Sequence, residues 1–162
     1  MAADMFIKID GIKGESNDSK HPDEIEVLSW SWGMSNAGSA HVGSGQGASK
    51  VNINDLVIQK SLDKSTPPLM LASITGKHIK EATLVVRKAA GDEPLEYLTI
   101  TMQDILVSSV SNSGMQGGGA ISESITLNFA KVKLKYIEQK ADGGEGAKPD
   151  YGWDIRAHKN WT

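Results

Sequence analysis

The sequence predicts a mainly β chain with one short helix, and three observations carry this prediction. Stretches of alternating apolar and polar residues recur along the chain, which is typical of half-buried strands. Segments rich in glycine or proline separate these stretches. Residues 65–76 alone carry the start and stop signals of a helix. With 162 residues and 39% hydrophobic content, the chain 1–162 is predicted to form a single domain with its own core.

The alternating stretches are predicted as short strands. They cover residues 5–9, 24–34, 51–58, 82–86, 95–102, 105–110, 125–136 and 151–155. Within 51–58 and within 125–136 the apolar positions change from odd to even numbers. Such a phase change indicates a bulge or a strand that passes to another sheet, as closing barrels need. Burial of the strand on both faces would explain each change equally well.

The helix prediction for residues 65–76 depends on residues at its two ends. Thr66 can accept a hydrogen bond from the free amides of the first turn, and Pro67 suits the first helical position. Gly76 can adopt the left-handed conformation that ends a helix. The apolar side chains expected to pack this helix onto the outside of the sheet are Leu69, Met70 and Ile74.

The Trp-Ser-Trp motif divides one strand into two faces, because a period of two directs Trp30 and Trp32 to one side and Ser29 and Ser31 to the other. Burying an indole removes about 150–250 Å² from water, worth roughly 4–6 kcal/mol as an upper bound. The indoles are therefore expected to pack, and the serines meet either bulk water or a shared wet cavity. The predicted structural core residues are Trp30, Trp32, Phe129 and Trp153.

Composition excludes several classes of function. The 17 basic and 20 acidic residues give a formal net charge of −3 and form no basic stripe, so we expect no nucleic-acid partner. The chain has no cysteine, which excludes disulfides and thiolate metal sites. No stretch approaches the roughly 20 apolar residues of a membrane span. The N-terminal residues lack the pattern of a signal peptide, so any export is expected to use another route.

No catalytic, cofactor-binding or metal-binding motif is present. The histidines are spread singly, and each is expected at the surface: His21, His41, His78 and His158. Residues 43–50 resemble a phosphate-binding loop but lack the strand before it and the helix after it. Glu24 and Glu26 share one strand face, as the two carboxylates of a retaining glycosidase could, but acids on the same face of a strand usually form its solvated side. The sequence therefore predicts a protein that is not an enzyme and has no cofactor.

Three loops hold most of the glycine, and they cover residues 37–49, 112–120 and 141–149. They have too little apolar surface to order themselves. Either they become ordered against neighbouring molecules, or they are mobile surface loops.

Short motifs along nearly the whole chain resemble the haemolysin-coregulated protein (Hcp) family. In chain order they are MFIKI at 5–9, GES at 14–16, the segment 25–34 with its Trp-Ser-Trp, DKSTP at 63–67, GKH at 76–78, LVSSV at 106–110, LNFA at 127–130 and YGWDI at 151–155. Residues 115–120 and 156–162 match no part of the family pattern. Whether the tail 156–162 is ordered is left open.

The resemblance implies a β-barrel of two sheets with one short flanking α-helix, similar to phage tail-tube proteins. It implies a structural subunit of the type VI secretion tube, which assembles in the cytoplasm as hexameric rings and is secreted without a signal peptide. The implied partners are a VgrG-type spike, a contractile sheath and small effector proteins held in the ring.

Combined with the strand faces, the resemblance assigns Ser29 and Ser31 to the lumen, where they would contact effectors. It assigns contacts between protomers or rings to a glycine-rich loop, whose residues are Gly43, Ser44, Gly45, Gln46 and Gly47. Lys131, Lys133 and Lys135 would point either into the lumen or outward. The alternative function is a monomeric carbohydrate-binding β-sandwich, in which the tryptophans would be exposed platforms for sugar rings.

Overall fold

A computed structural model describes residues 3–37, 51–88 and 93–162. Those residues form eleven strands and one helix: β1 (Ala3–Ile9), β2 (Ile25–Glu26), β3 (Ser29–Ser31), β4 (Met34–Asn36), β5 (Val51–Ile53), β6 (Leu56–Ser61), α1 (Thr66–Thr75), β7 (Ile79–Lys88), β8 (Leu95–Ser113), β9 (Ser122–Tyr136), β10 (Asp150–Asp154) and β11 (Lys159–Asn160). This confirms the mainly β class with a short helix. Within the same ranges, no helix is long and apolar enough to cross a bilayer.

Most of the strands in the described ranges belong to one antiparallel sheet. Its main order is β11-β10-β9-β8-β7-β1-β2, with β6 beside β9 and β3 beside β6, while β4 and β5 form a separate two-stranded ribbon. Among the residues that the structure describes, no hydrogen bonds between the edges of the sheet close it into a barrel. Instead residues 25–31 pair first with β1 and then with β6, so the chain itself connects the two edges.

The predicted strand 24–34 is three short strands, because the backbone changes partner twice along it. The Val27 amide donates to the Met5 carbonyl, whereas the next amide, that of Leu28, donates to Gln59. The phase change within 51–58 has a similar origin. β5 belongs to the ribbon and β6 to the large sheet, so this segment passes from one sheet to another.

The two strands predicted at 95–102 and 105–110 are one long strand, β8, which pairs along its length with β9. Asp104 adopts a left-handed conformation with φ of 55° at the predicted break. The pairing register is the same on both sides, with Gln103 opposite Lys131 and Ile105 opposite Phe129. A bulge between Val107 and Ser109 adds a second irregularity.

Helix α1 ends as predicted, at Gly76 with φ of 65°. Its start differs, because Ser65 is the N-cap residue and makes no capping hydrogen bond with its side chain. Leu69 is fully buried, but Ile74 is 81% exposed, so the prediction that Ile74 packs on the sheet is wrong. The buried side of the helix is formed by Thr66, Leu69 and Ala72.

A buried ion pair joins the start of α1 to the sheet. Lys60 on β6 is 1% exposed and its ammonium contacts the carboxylate of Glu123 on β9, whose side chain is completely buried. The Lys60 ammonium also donates to Asp63 at 2.9 Å and lies 3.3 Å from the Thr66 hydroxyl. The Thr66 hydroxyl in turn donates to Glu123 at 2.8 Å. Every polar group of this network therefore has a partner, which offsets the cost of removing two charges from water.

We predict that the K60M variant loses about 3–5 kcal/mol of unfolding free energy, because it leaves the Glu123 carboxylate buried without its cation. The double variant K60M/E123L removes both charges and is expected to be more stable than K60M. Urea unfolding at one fixed protein concentration measures both values, since assembly changes apparent stability.

The matched control is K64M, because Lys64 is exposed and should change stability by less than about 0.5 kcal/mol. A double variant as unstable as K60M would contradict the role of the ion pair.

Charged side chains also fasten the loop between β1 and β2 to the sheet. Arg87 on β7 binds the Asp18 carboxylate through both terminal nitrogens, and its guanidinium lies 5.0 Å from the Phe6 ring centre. The hydrogen bond from Arg87 lowers the pKa of Asp18 to about 2, and Asp18 raises the pKa of Arg87. The Asp18 carboxylate also accepts the backbone amides of Lys20 and His21.

His21 lies in the same loop and is buried, so its predicted surface position is wrong. Its Nδ1 is 2.7 Å from Glu24 and its Nε2 is 2.6 Å from Glu96. The ring also stacks on Phe6 at a centroid distance of 4.6 Å. Both ring nitrogens can donate at once only in the imidazolium form.

We predict that the stabilisation from the Asp18 carboxylate depends on pH. Because the folded pKa is below the ordinary value of 3.8, this stabilisation is complete above about pH 4 and is lost as pH falls through about 2. The difference in melting temperature between wild type and D18N should therefore shrink over that interval. D10N is the control, because the Asp10 side chain is exposed. The difference in melting temperature between wild type and D10N should not shrink over that interval as it does for D18N. A difference that stays constant to pH 2 would contradict the Asp18–Arg87 interaction.

Candidate functional site

One outward face of the large sheet consists almost entirely of small hydroxyl and amide side chains. These side chains occupy alternate positions on β3, β6, the end of β8 and the start of β9, and all are exposed or partly exposed. We call this surface the hydroxyl face. Its members are Ser29, Ser31, Val57, Gln59, Ser61, Ser109, Ser111, Ser113, Ser122, Ser124, Thr126 and Asn128.

Cross-strand pairing places these side chains in rows. Ser29 is opposite Gln59, which is opposite Ser124, which is opposite Ser111. Residues directly opposite one another share a face, so the row runs across four strands. Within it the Gln59 side-chain amide donates to the Ser124 hydroxyl at 3.1 Å. A second row runs in parallel through Ser31, Val57, Thr126 and Ser109.

The opposite face of the same strands is apolar. Trp30 is opposite Ile58, which is opposite Ile125 and then Val110, so this row points to the core. Trp30 is partly buried and packs against the core cluster. The carbohydrate-binding alternative requires tryptophans that are exposed platforms for sugar rings. The Trp30 indole, which packs against the core, is not such a platform.

The other predicted core residues lie around the same interior. Phe129 is 6% exposed, and its ring centre is 6.0 Å from that of Trp32. Trp32 is partly buried, and its indole nitrogen donates to the Asn54 carbonyl at 2.8 Å. Trp153 packs on the core cluster and meets the His158 ring edge-on at 5.2 Å.

No member of the hydroxyl face carries a charge. A neighbouring carboxylate that bonds to it is that of Asp55, at the junction of β5 and β6. Asp55 accepts hydrogen bonds from the Asn128 amide at 2.8 Å and from the Ser108 hydroxyl at 3.0 Å. The face therefore offers neutral donors and acceptors that can exchange hydrogen bonds with water or with a bound protein surface.

The structure brings Ser29 and Ser31 together with hydroxyl groups that the sequence analysis did not select. In the sequence, the sign of these additional hydroxyl groups is the alternation of serine at 109, 111 and 113 and at 122 and 124. Only the pairing register shows that these serines lie beside Ser29. The predicted contact residues Gly43, Ser44, Gly45, Gln46 and Gly47 lie outside the described residues.

The three lysines of β9 lie away from the hydroxyl rows, beside the C-terminal segment. Lys133 is opposite Gly152 of β10, and its ammonium is 4.1 Å from the centre of the Trp161 ring. The Lys131 ammonium is 5.8 Å from the same ring and 4.0 Å from Asp154. Lys131 and Lys133 therefore lie against β10 and the Trp161 ring that follows it, while Lys135 is opposite Asp150 at the start of β10.

The C-terminal segment, whose order the sequence left open, is paired with the sheet. β11 pairs with the end of β10, and the Trp161 amide donates to the Gly152 carbonyl at 3.0 Å. A Cβ atom on Gly152 would lie 2.0 Å from the Trp161 carbonyl oxygen, so only glycine fits beneath this segment. Among the described residues, no group of three side chains is placed to hold a metal ion.

Comparison with known proteins decides the family. A family model described as "Type VI secretion system effector, Hcp" matches residues 6–136. Protein hcp1 of Pseudomonas aeruginosa is 55% identical over 157 residues, which cover 96% of this chain and 97% of that protein. The chain belongs to the Hcp family. Members of this family are the tube proteins of the type VI secretion system.

Two solved structures from this secretion system share the fold over 99% of the chain. The crystal structure of Hcp1 from Salmonella typhimurium is 39% identical with a TM-score of 0.80, covering 99% of this chain and 100% of that chain. A structure described as a type six secretion system protein has a TM-score of 0.91 at 29% identity, with the same coverage of both chains. The hydroxyl face is therefore part of an Hcp fold.

Proposed function

We propose that this Hcp chain is a structural subunit that closes into six-membered rings, which stack into the inner tube of the type VI machine. The hydroxyl face lines the channel of this tube. The observation that carries the proposal is the extent of that face, which crosses four strands without a charged side chain. A surface of this kind stays hydrated, because each hydroxyl bonds to water, and it does not attract one sign of charge from passing cargo.

A ring closes when the same head-to-tail contact, between two different surfaces of the subunit, is repeated from copy to copy. We assign part of this contact to the loop that contains Gly43, Ser44, Gly45, Gln46 and Gly47, since glycine-rich backbone adapts to a neighbour at low steric cost. Trp30 and Trp32 anchor the core on the other side of the strand and keep the serines directed to the channel. The role is structural rather than catalytic.

Ser29 and Ser31 contact small effector proteins inside the ring. The ring protects these effectors until delivery. The ring assembles in the cytoplasm, a contractile sheath surrounds the tube, and a VgrG-type spike caps it. Firing then secretes the subunit together with its cargo.

We predict that the purified chain forms rings with a central hole in negative-stain electron micrographs. Sedimentation should give a mass several times the 17.3 kDa of one chain. A monomer at all accessible concentrations, with tryptophan fluorescence that responds to glycans, would contradict the ring and support the carbohydrate-binding alternative.

We predict that S31Q leaves ring formation intact and weakens the retention of an effector co-expressed from the same secretion system. The longer amide side chain extends into the space above the face and removes a small hydroxyl contact, while the core side of the strand is unchanged. Co-purification followed by quantitative mass spectrometry measures effector per ring.

The control is S19Q, because Ser19 is exposed in the loop between β1 and β2 and away from the hydroxyl face. Equal effector retention by S31Q and wild type would remove Ser31 from the binding surface.

A further inference from the structure

The ribbon formed by β4 and β5 leaves the large sheet without joining its ladder. Met34 is opposite Ile53 and Asn36 is opposite Val51, and within the described ranges neither strand has another partner. Each strand of the ribbon therefore has one unpaired edge there. Unpaired edges are the usual place for another chain to bind. Because no ladder joins the described part of the ribbon to the large sheet, side-chain contacts must set its direction, and one of them is the packing of Ile53 against the core cluster.

Two hydrogen bonds close the base of the ribbon. The Asn54 amide donates to the Gly33 carbonyl at 3.0 Å, and the Asn54 carbonyl accepts the Trp32 indole N–H at 2.8 Å. Both bonds stay within the segments that enter and leave the ribbon. They hold its two strands together, and the contact of the Trp32 ring with Phe129, at 6.0 Å between ring centres, relates this base to β9.

Asp55 adds a polar connection from the ribbon to both β8 and β9. Its Oδ1 accepts the Asn128 amide of β9 at 2.8 Å, and its Oδ2 accepts the Ser108 hydroxyl of β8 at 3.0 Å. The same hydroxyl has a second acceptor, the Thr126 carbonyl, at 3.2 Å. The bulge in β8 leaves both Ser108 and Ser109 exposed on the outward side, and this orientation lets Ser108 reach Asp55. One carboxylate thus ties the end of the ribbon to two neighbouring strands, through hydrogen bonds strengthened by its charge.

We propose that Asp55 is a positioning residue, which fixes the angle at which the β4–β5 ribbon leaves the sheet and so sets the surface that the ribbon presents to a second copy of this chain. The second part rests on the ring proposed above. The ribbon is suited to this contact because its edges are unpaired and because Met34, at its base, is 49% exposed. A ring closes only if every contact repeats at one angle, so a ribbon free to swing weakens closure at all six positions.

The test compares D55A, D55N and E81A with wild type. D55A removes both hydrogen bonds, whereas D55N keeps an oxygen for Asn128 and a polar nitrogen near Ser108. E81A is the matched control, because the Glu81 carboxylate also accepts a side-chain amide from a neighbouring strand, Gln103 at 2.9 Å, but lies away from the ribbon. Sedimentation measures the concentration at which rings form, amide exchange reports local opening, and melting temperature reports global stability.

We expect D55A to raise the concentration for ring formation on the order of tenfold, the effect of losing about one net hydrogen bond. Amide exchange at residues 34–36 and 51–54 should accelerate, while exchange in β7 and the melting temperature stay near wild type. D55N should recover most of the assembly, and E81A should assemble as wild type does.

Three results would overturn the proposal: rings of D55A at the wild-type concentration, a loss of rings that follows a general fall in melting temperature, or unchanged exchange in the ribbon. Failure of the proposed function gives a different result, because wild type would then be monomeric. In a monomer the exchange comparison still tests whether Asp55 fixes the ribbon, and equal exchange in D55A and wild type would reject it.

Discussion

The separation of two faces along β3, β6, β9 and β8 is the constraint on which the rest of the structure depends. Alternate residues of these strands go either to a dry interior or to a wet surface, and the pairing register aligns them from strand to strand. A slip of one residue in any ladder would exchange the two sets, exposing an indole and burying a hydroxyl. The same register therefore determines both the stability of the core and the chemistry of the hydroxyl face.

Local sequence patterns account for much of this fold. The alternation predicted the strands, and the Pro67 and Gly76 signals predicted the helix. Features that join distant segments were not accessible from the sequence. The change of partner between Val27 and Leu28 depends on where β1 and β6 lie, and the pairing of Lys60 with Glu123 joins residues far apart in the chain. His21 shows the same limit, since Glu96 becomes its neighbour only after folding.

The sequence analysis likewise selected only two residues of the hydroxyl face, Ser29 and Ser31. Ser29 and Ser31 could be selected because the adjacent tryptophans define which side of their strand is dry. No such marker accompanies the serines of β8 and β9, and a phase change and a bulge obscure their orientation. Asp55 carries no sequence signal at all, because its partners Ser108 and Asn128 come from two other strands. The residues predicted for contacts between copies, 43–47, lie outside the described ranges.

The long β8–β9 ladder also has a mechanical consequence. Paired residues run from Leu98 opposite Tyr136 to Ser113 opposite Ser122, and this one ladder borders both the hydroxyl rows and the lysine-rich end of β9. When two antiparallel strands are pulled lengthwise in opposite directions, their hydrogen bonds are strained together, whereas peeling breaks them in turn. A subunit whose β8 and β9 are pulled lengthwise in opposite directions would therefore resist as a unit, and the same subunit opened from its edge would yield one residue at a time.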